Sequence, residues 1–348
     1  MEDRAKGIKE LNLEKDELPM ERALGVSWCI ESDAFKFRIV MQDRPLTRRG
    51  ILSTVSSVYD PLGFLAPLIL VGKSLLQDLC RGKVEWDDPI PENVRSRWLK
   101  WRDELHHLDD FSVPRCFKPE GFGKVTSTQL HHFSDASTTG YGQCSYVRLV
   151  DDKGQIHCSL IMGKARVAPL KMVTTPRLEL TAAVVSVRVS NMLRQELQYE
   201  RVEEIFWTDS KVVLGYVKND SKRFHVFVAN RVQQIRDQTS PSQWRHVETK
   251  CNPADDASRG ITAKELVEGS RWISGPEFLW MPEDQWPQPL EEQDLVSLSD
   301  DPEVKKVTSY ATSSQEPWNL VESLSYFSDW HRACRAVAIF LRYKQKLR

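Results

Sequence analysis

Four carboxylates stand where a strand pattern breaks or a helix pattern begins: Asp135, Glu179, Asp209 and Asp255. The stretch His132-Phe133-Ser134-Asp135-Ala136-Ser137 alternates like a strand, ends on a carboxylate, and breaks through Thr138-Thr139-Gly140-Tyr141-Gly142. An acid at the inner end of a strand is costly to desolvate unless it serves a cation. Glu179 falls in the first turn of a helix, Asp209 ends another strand, and Asp255 opens a later helix. Strand ends and the helix starts packed on them can meet at one edge of a sheet. Four carboxylates meeting there repel one another unless divalent cations lie between them. Hard oxygen ligands without Cys or His point to magnesium or manganese. Two such ions about 4 Å apart can activate a water and stabilise the leaving oxygen of a phosphodiester. In that reading Asp135 bridges both ions, Glu179 and Asp209 hold the ion beside the water, and Asp255 completes the shell of the second ion. Taken singly, each acid has a plainer reading, since 49 of the 348 residues are acidic. Asp255 suits a first-turn helix charge and Asp209 an N-cap. Convergence of all four is what favours chemistry.

The elements that must position them follow from periodicity. Gln129–Ser134, Gln143–Val150 and Ile156–Val167 read as three antiparallel strands, the last two joined by the turn Asp151-Asp152-Lys153-Gly154. Thr175-Pro176 opens a helix with Leu178, Ala182, Val185, Val189, Met192 and Leu193 on its core face. Arg201–Trp207 and Gln243–Val247 read as further strands, separated by helices from Val212 to Lys218 and from Phe224 to Gln238. Together these predict an α/β domain, a five-stranded mixed sheet with flanking helices. A small, mostly helical domain precedes it. Leu24–Trp28 and Phe35–Met41 suggest a hairpin, Thr47 caps a helix through Val58, and further helices span Leu68–Cys80 and Pro91–Leu108. Gly72-Lys73-Ser74 invites a phosphate-loop reading, but the first glycine of that motif falls on Pro67.

The chain therefore divides at 1–110 (helical segment), 111–128 (linker), 129–262 (catalytic-type domain), 263–287 (an extended aromatic and proline-rich arm), 288–315 (a flexible acidic linker) and 316–348 (a helical segment with a basic tail). Seven scattered cysteines without CxxC spacing disfavour a zinc site and a disulfide framework, and they fit a reducing compartment. The most apolar run, Leu62 to Val71, is about half of what a membrane span needs. These features suggest a soluble intracellular protein, cytoplasmic or nuclear, with no membrane partner. A net charge of -1 gives no global argument for nucleic acid, so any such case rests on local patches.

With these residues in hand, the chain resembles the polyprotein of BEL/Pao-type retrotransposons. The matching stretches are Tyr59-Asp60-Pro61-Leu62-Gly63, Phe133-Ser134-Asp135-Ala136-Ser137, Pro176-Arg177-Leu178-Glu179-Leu180, Trp207-Thr208-Asp209-Ser210, Phe227-Val228-Ala229-Asn230-Arg231 and Asn252-Pro253-Ala254-Asp255, in the family's order. The resemblance implies that the first segment is the thumb or connection of a reverse transcriptase. Residues 129–262 then form its ribonuclease H-like domain, which cuts the RNA strand of an RNA–DNA hybrid and leaves 3′-hydroxyl and 5′-phosphate ends. The family's catalytic acids carry over onto Asp135, Glu179, Asp209 and Asp255. The Asn-x-Ala-Asp pattern selects Asp255 and leaves Asp256 as a solvated helix charge.

Three departures matter. No Tyr-x-Asp-Asp occurs, so the polymerase palm is absent, and no protease motif or integrase zinc module is present. The chain thus resembles a fragment whose partners are the remaining parts of a polyprotein. The loop before the last acid, Glu248-Thr249-Lys250-Cys251, lacks the histidine that many ribonucleases H carry there, and the context of His246 places it in a strand. Lys164, Arg166 and Lys171 before the Glu179 helix, and Lys218, Lys222 and Arg223 after the Asp209 helix, can contact phosphates of a hybrid. Tyr141 suits either the hybrid's minor groove or core packing. The rival reading is an inactive or repurposed fold that binds nucleic acid or protein.

Overall fold

The computed structural model describes residues 20–23, 26–37, 39, 41–197, 202–290, 298–305 and 324–346. Residues 1–19 of the first segment, 291–297 and 306–315 of the acidic stretch 288–315, and 316–323 and 347–348 of the last segment lie outside them, as do Leu24 and Arg201. The chain forms two compact units, Met1–Lys305 and Lys306–Arg348.

The first unit opens with short antiparallel strands β1 (Met20–Ala23), β2 (Val26–Cys29) and β3 (Ala34–Lys36). Helix α1 (Arg48–Ser57) starts where the Thr47 hydroxyl accepts the Gly50 amide at 3.2 Å. Helix α2 (Ala66–Arg81) is set up by the Asp-Pro-Leu-Gly turn before it. The Asp60 carboxylate accepts the amides of Gly63 (2.9 Å), Phe64 (2.9 Å) and Leu65 (2.7 Å), which lie just ahead of the helix. Gly63 has φ +81°, and a Cβ there would sit 1.9 Å from the Gly163 carbonyl oxygen, so only glycine lets this turn touch the sheet. Gly72-Lys73-Ser74 lies in the middle of α2, and a Cβ on Gly72 would meet Trp101 and Val55 at 2.9 Å. Helix packing, not a phosphate loop, uses that glycine. Helix α3 (Glu92–Glu104) follows, and β4 (Ser112–Pro114) then pairs with β3.

The sheet expected from the alternating patterns is present. Strands β5 (Val125–Ala136), β6 (Gly140–Asp151) and β7 (Ile156–Val167) form an antiparallel meander. Helix α4 (Thr175–Leu197) leads to β8 (Glu203–Thr208), parallel to β5. Helices α5 (Lys211–Lys218) and α6 (Val226–Arg236) lead to β9 (Trp244–His246), parallel to β8. The order is β7-β6-β5-β8-β9. The stretch 111–128 supplies β4 and the first residues of β5, because partners as distant as Asp151 and Ala34 hold it in sheets. β5 is central, and its last eight residues are buried although five of its buried residues are polar. Their partners are local networks: Gln129 accepts from Arg148 at 2.8 Å, and His132 meets the Ser145 hydroxyl at 2.8 Å.

Helix α7 (Ala254–Arg259) carries the last acid, and α8 (Ala263–Val267) and α9 (Arg271–Ser274) follow. From there to residue 287 the chain is a covering layer: Trp272, Leu279 and Trp286 are buried. Each such side chain is worth about 1.5–3 kcal/mol on burial. One hydrophobic cluster contains Ile51, Leu68 and Trp101 of the helical segment together with Phe133, Tyr146, Trp207 and Trp272. The other face of the sheet packs on α4, α5 and α6 through Phe206, Leu180, Val213 and Val228. Further on, Leu298 and Glu303 are buried as well, Glu303 pairing with Arg177 at 2.6 Å. In the second unit, helix α10 (Trp330–Lys346) buries Ala333 and exposes Trp330, Ile339, Phe340, Leu341 and Tyr343. No helix among the described residues is long and apolar enough to cross a membrane.

Candidate active site

The parallel pairing of β5 with β8 sets Ser134 beside Thr208, so the next residue of each strand, Asp135 and Asp209, leaves the sheet at the same edge. Asp135 is 5% exposed. Burial first, and then the facing charge of Asp209, push its carboxyl up to about 7, with Asp255 adding to the effect. The Ser258 hydroxyl, from α7, donates to Asp135 and opposes the rise. Glu179 lies on the first turns of α4, and burial followed by the Asp209 charge raises it too. Ser210 donates to Glu179 Oε2 at 2.6 Å. Asp209 accepts from the Thr249 hydroxyl at 2.7 Å and from Asn252 Nδ2 at 3.3 Å. Asp255 is held by Arg259, and Arg271 reaches its other oxygen at 3.6 Å.

The three-dimensional arrangement thus draws Asp135, Asp209 and Asp255 into electrostatic contact and couples Glu179 to Asp209. All donors are carboxylate oxygens, a set that fits a hard divalent cation. Among the described residues, no three His, Cys, Asp or Glu side chains already close into a metal cage. Each acid instead holds its own protein donor, and the charges of Asp135 and Asp209 act on Arg259 together with that of Asp255.

Several sequence readings change here. Asp209 is not the N-cap of α5: Ser210 is, accepting the Val213 amide at 3.2 Å. Asp256 is not a solvated charge. It is only 13% exposed at the side chain, and Arg271 binds both of its oxygens, at 3.0 and 3.3 Å. His246 lies in β9 as expected, but its ring is beside Asp209, hydrogen-bonding that residue's backbone, while burial and Lys211 hold it below its ordinary value. Tyr141 packs against Ala136, Ala168 and Leu178. Lys164 is half-buried and Arg166 exposed on β7, with Lys171 exposed beyond. Lys218, half-buried, ends α5, which carries the chain about 12 Å from Asp209. Lys222 is half-buried and Arg223 exposed beside the cavity lined by Asn219, Arg236 and Lys305.

Residues that the acids alone did not reveal complete the site. Asn252 donates to the Ser134 carbonyl at 3.2 Å as well as to Asp209, and accepts the Ala254 amide at 3.1 Å. It joins the ends of β5 and β8 to the start of α7, which explains the asparagine in Asn-Pro-Ala-Asp. Arg231, from the Phe-Val-Ala-Asn-Arg stretch, lies 3.5 Å over the Phe227 ring and donates to Thr181 at 3.3 Å, fixing α6 to the Glu179 helix.

Residues 47–210 match the family described as the Pao retrotransposon-like RNaseH-like domain. The resemblance covers just under half of the chain. The matched span takes in α1–α3 as well as Asp135, Glu179 and Asp209, while Asp255 lies beyond it. Among solved structures, the chain is similar to RNase H1 from the archaeon Halobacterium salinarum NRC-1 at 13% identity, covering 42% of this chain and 100% of that one, with TM-score 0.24. It is also similar to LC11-RNase H1 in complex with RNA/DNA hybrid (13% identity, 40% and 99% covered, TM-score 0.26). A third is the foamy viral protease-reverse transcriptase in complex with dsDNA (13%, 65% and 44%, TM-score 0.23). No curated protein matches the chain.

Proposed function

We propose that the Pao RNase H-like domain hydrolyses the RNA strand of RNA–DNA hybrids with the help of two magnesium ions, manganese being an alternative. The observation that supports this best is the Asp135 carboxyl, pushed up to about 7 by burial and by Asp209 across the same sheet edge. Such a site gains free energy when a cation arrives. Asp135, Glu179, Asp209 and Asp255 would hold the ions, which supply a more acidic water and charge stabilisation at the leaving oxygen. The protein's own part is positional. Ser258, Ser210 and the Asn252–Thr249 pair aim Asp135, Glu179 and Asp209 respectively. Lys164, Arg166, Lys171, Lys218, Lys222 and Arg223 would meet hybrid phosphates. The palm, protease and integrase of a Pol polyprotein would be further partners.

A second reading is favoured by one observation: Asp255 is already neutralised by Arg259 and Arg271. In it the domain binds nucleic acid, or a protein, without cutting. The full chain incubated with a labelled RNA–DNA hybrid, with and without magnesium, separates the two. RNA-strand cleavage that needs the metal and vanishes in Asp135→Asn supports the hydrolase. Retained binding without cleavage supports the second reading.

A further inference from the structure

Away from the acids, a cavity of about 250 Å³ lies where the Asp-Pro-Leu-Gly turn and α2 meet the edge strand β7, lined by Asp60, Gly63, Lys73, Gly163, Lys164 and Arg166 among others. Three of these side chains are cationic, and none of the three forms an ion pair among the described residues. Lys73 and Arg166 act on each other as like charges, and burial together with Arg166 holds Lys73 below its ordinary value, against the pull of Asp60. Asp60 is the one acid among the lining residues named; its oxygens accept three backbone amides, and its pull on Lys73 outweighs the push of Arg166, yet one carboxylate faces three cations. Like charges brought together by tertiary structure cost free energy unless an anion is shared between them.

The position of the cavity says which anion. Asp135 pairs with Gly142, and Gly142 with Ala165, which lies between Lys164 and Arg166. The cavity is therefore at the carboxylate edge of the sheet, two strand spacings or roughly 10 Å from Asp135. That is about three rises of 3.4 Å along the axis of a duplex. Lys73 belongs to the helical segment, so the cations come from both sides of the contact between Gly63 and Gly163.

We propose that Lys73, Lys164 and Arg166 form a phosphate subsite, built jointly by α2 and β7, that grips the backbone of a nucleic acid a few nucleotides from the Asp135 edge. The subsite rests on the proposed hybrid substrate for its ligand, but not on cleavage. The use of Gly72-Lys73-Ser74 is thus electrostatic after all, through the lysine alone and from mid-helix.

The test is equilibrium binding of a labelled RNA–DNA hybrid to the full chain in EDTA, which stops metal-dependent cutting, over a series of salt concentrations. Lys73→Met keeps the aliphatic stem, and Lys73→Met with Arg166→Gln removes two charges. Lys153→Met, in the turn at the far end of β6, is the control, and thermal melting shows that each variant folds. The single variant should weaken binding about three- to tenfold at physiological salt and make the slope of log K against log salt shallower by about 0.9, the double by about twice that. Lys153→Met should change neither. Folded variants with the parent's affinity and slope overturn the subsite, whether or not the parent cuts the hybrid in magnesium. A parent that never cuts, with weakened binding in Lys73→Met, overturns the hydrolase reading and leaves the subsite standing.

Discussion

Ser210 ties Glu179 to the strand end that carries Asp209: its hydroxyl donates to Glu179 Oε2 at 2.6 Å and accepts the Val213 amide at 3.2 Å. One side chain therefore caps α5 and restrains the rise of the Glu179 carboxyl. Ser210→Ala should cost about 1 kcal/mol through the lost cap. It should also raise Glu179 further, moving the acid limb of hybrid cleavage to higher pH. A pH–rate profile checks the second effect, and an unmoved limb would mean that Glu179 plays no part in the rate.

The Asp135 shift has a sign that melting can read. The carboxyl rises from an ordinary 3.8 to about 7 in the folded chain. Its favourable contribution is complete below about pH 4 and is lost as pH rises through about 7. Without metal, the parent should melt lower at pH 8 than at pH 5, and Asp135→Asn should show a smaller drop. Magnesium at pH 8 should raise the parent's melting temperature, by binding only the folded form, and should do less for the variant. Equal drops in both proteins would remove Asp135 as the strained group.

Asp255 and Asp256 are neighbours with different work. Asp256 and Arg271 pair through both carboxylate oxygens beside the sheet. Asp256→Ala takes from the half-buried Arg271 its closest carboxylate, leaving it Asp255 and the Lys250 carbonyl, and should cost about 1–3 kcal/mol while leaving cleavage intact below the melting range. Asp255→Asn should stay folded and lose metal-dependent cleavage. Denaturant unfolding and a cleavage assay on both variants decide this, and swapped outcomes would reassign the fourth acid.

Gly63→Ala probes the seam between the helical segment and the sheet. The left-handed backbone (φ +81°) and the Gly163 carbonyl 1.9 Å from the added carbon leave no room. A loss of about 2–4 kcal/mol is expected from strain and overpacking together. Hybrid binding should weaken with it as Lys73 shifts away from Arg166, whereas a neutral Gly63→Ala would mean that the seam is loose.

Much of this was local in the chain and so could be read from it. Alternation, the Thr47 cap and the abrupt breaks after Asp135 and Asp209 depend on neighbours a few residues apart, and they specify strands, helix starts and acids at strand ends. That local order also fixes the sequence of elements, from which a five-stranded mixed sheet follows. What the folded chain alone decided are encounters between distant residues: Ser258 with Asp135 across 123 residues, Arg271 with Asp256, Gly63 with Gly163, Lys73 with Arg166. Asp256 looked solvated because its partner arrives from α9, and 111–128 looked like a linker because its strand partners lie elsewhere. Periodicity reports which face of an element seeks burial. Which charge meets which is set only when those faces close on one another.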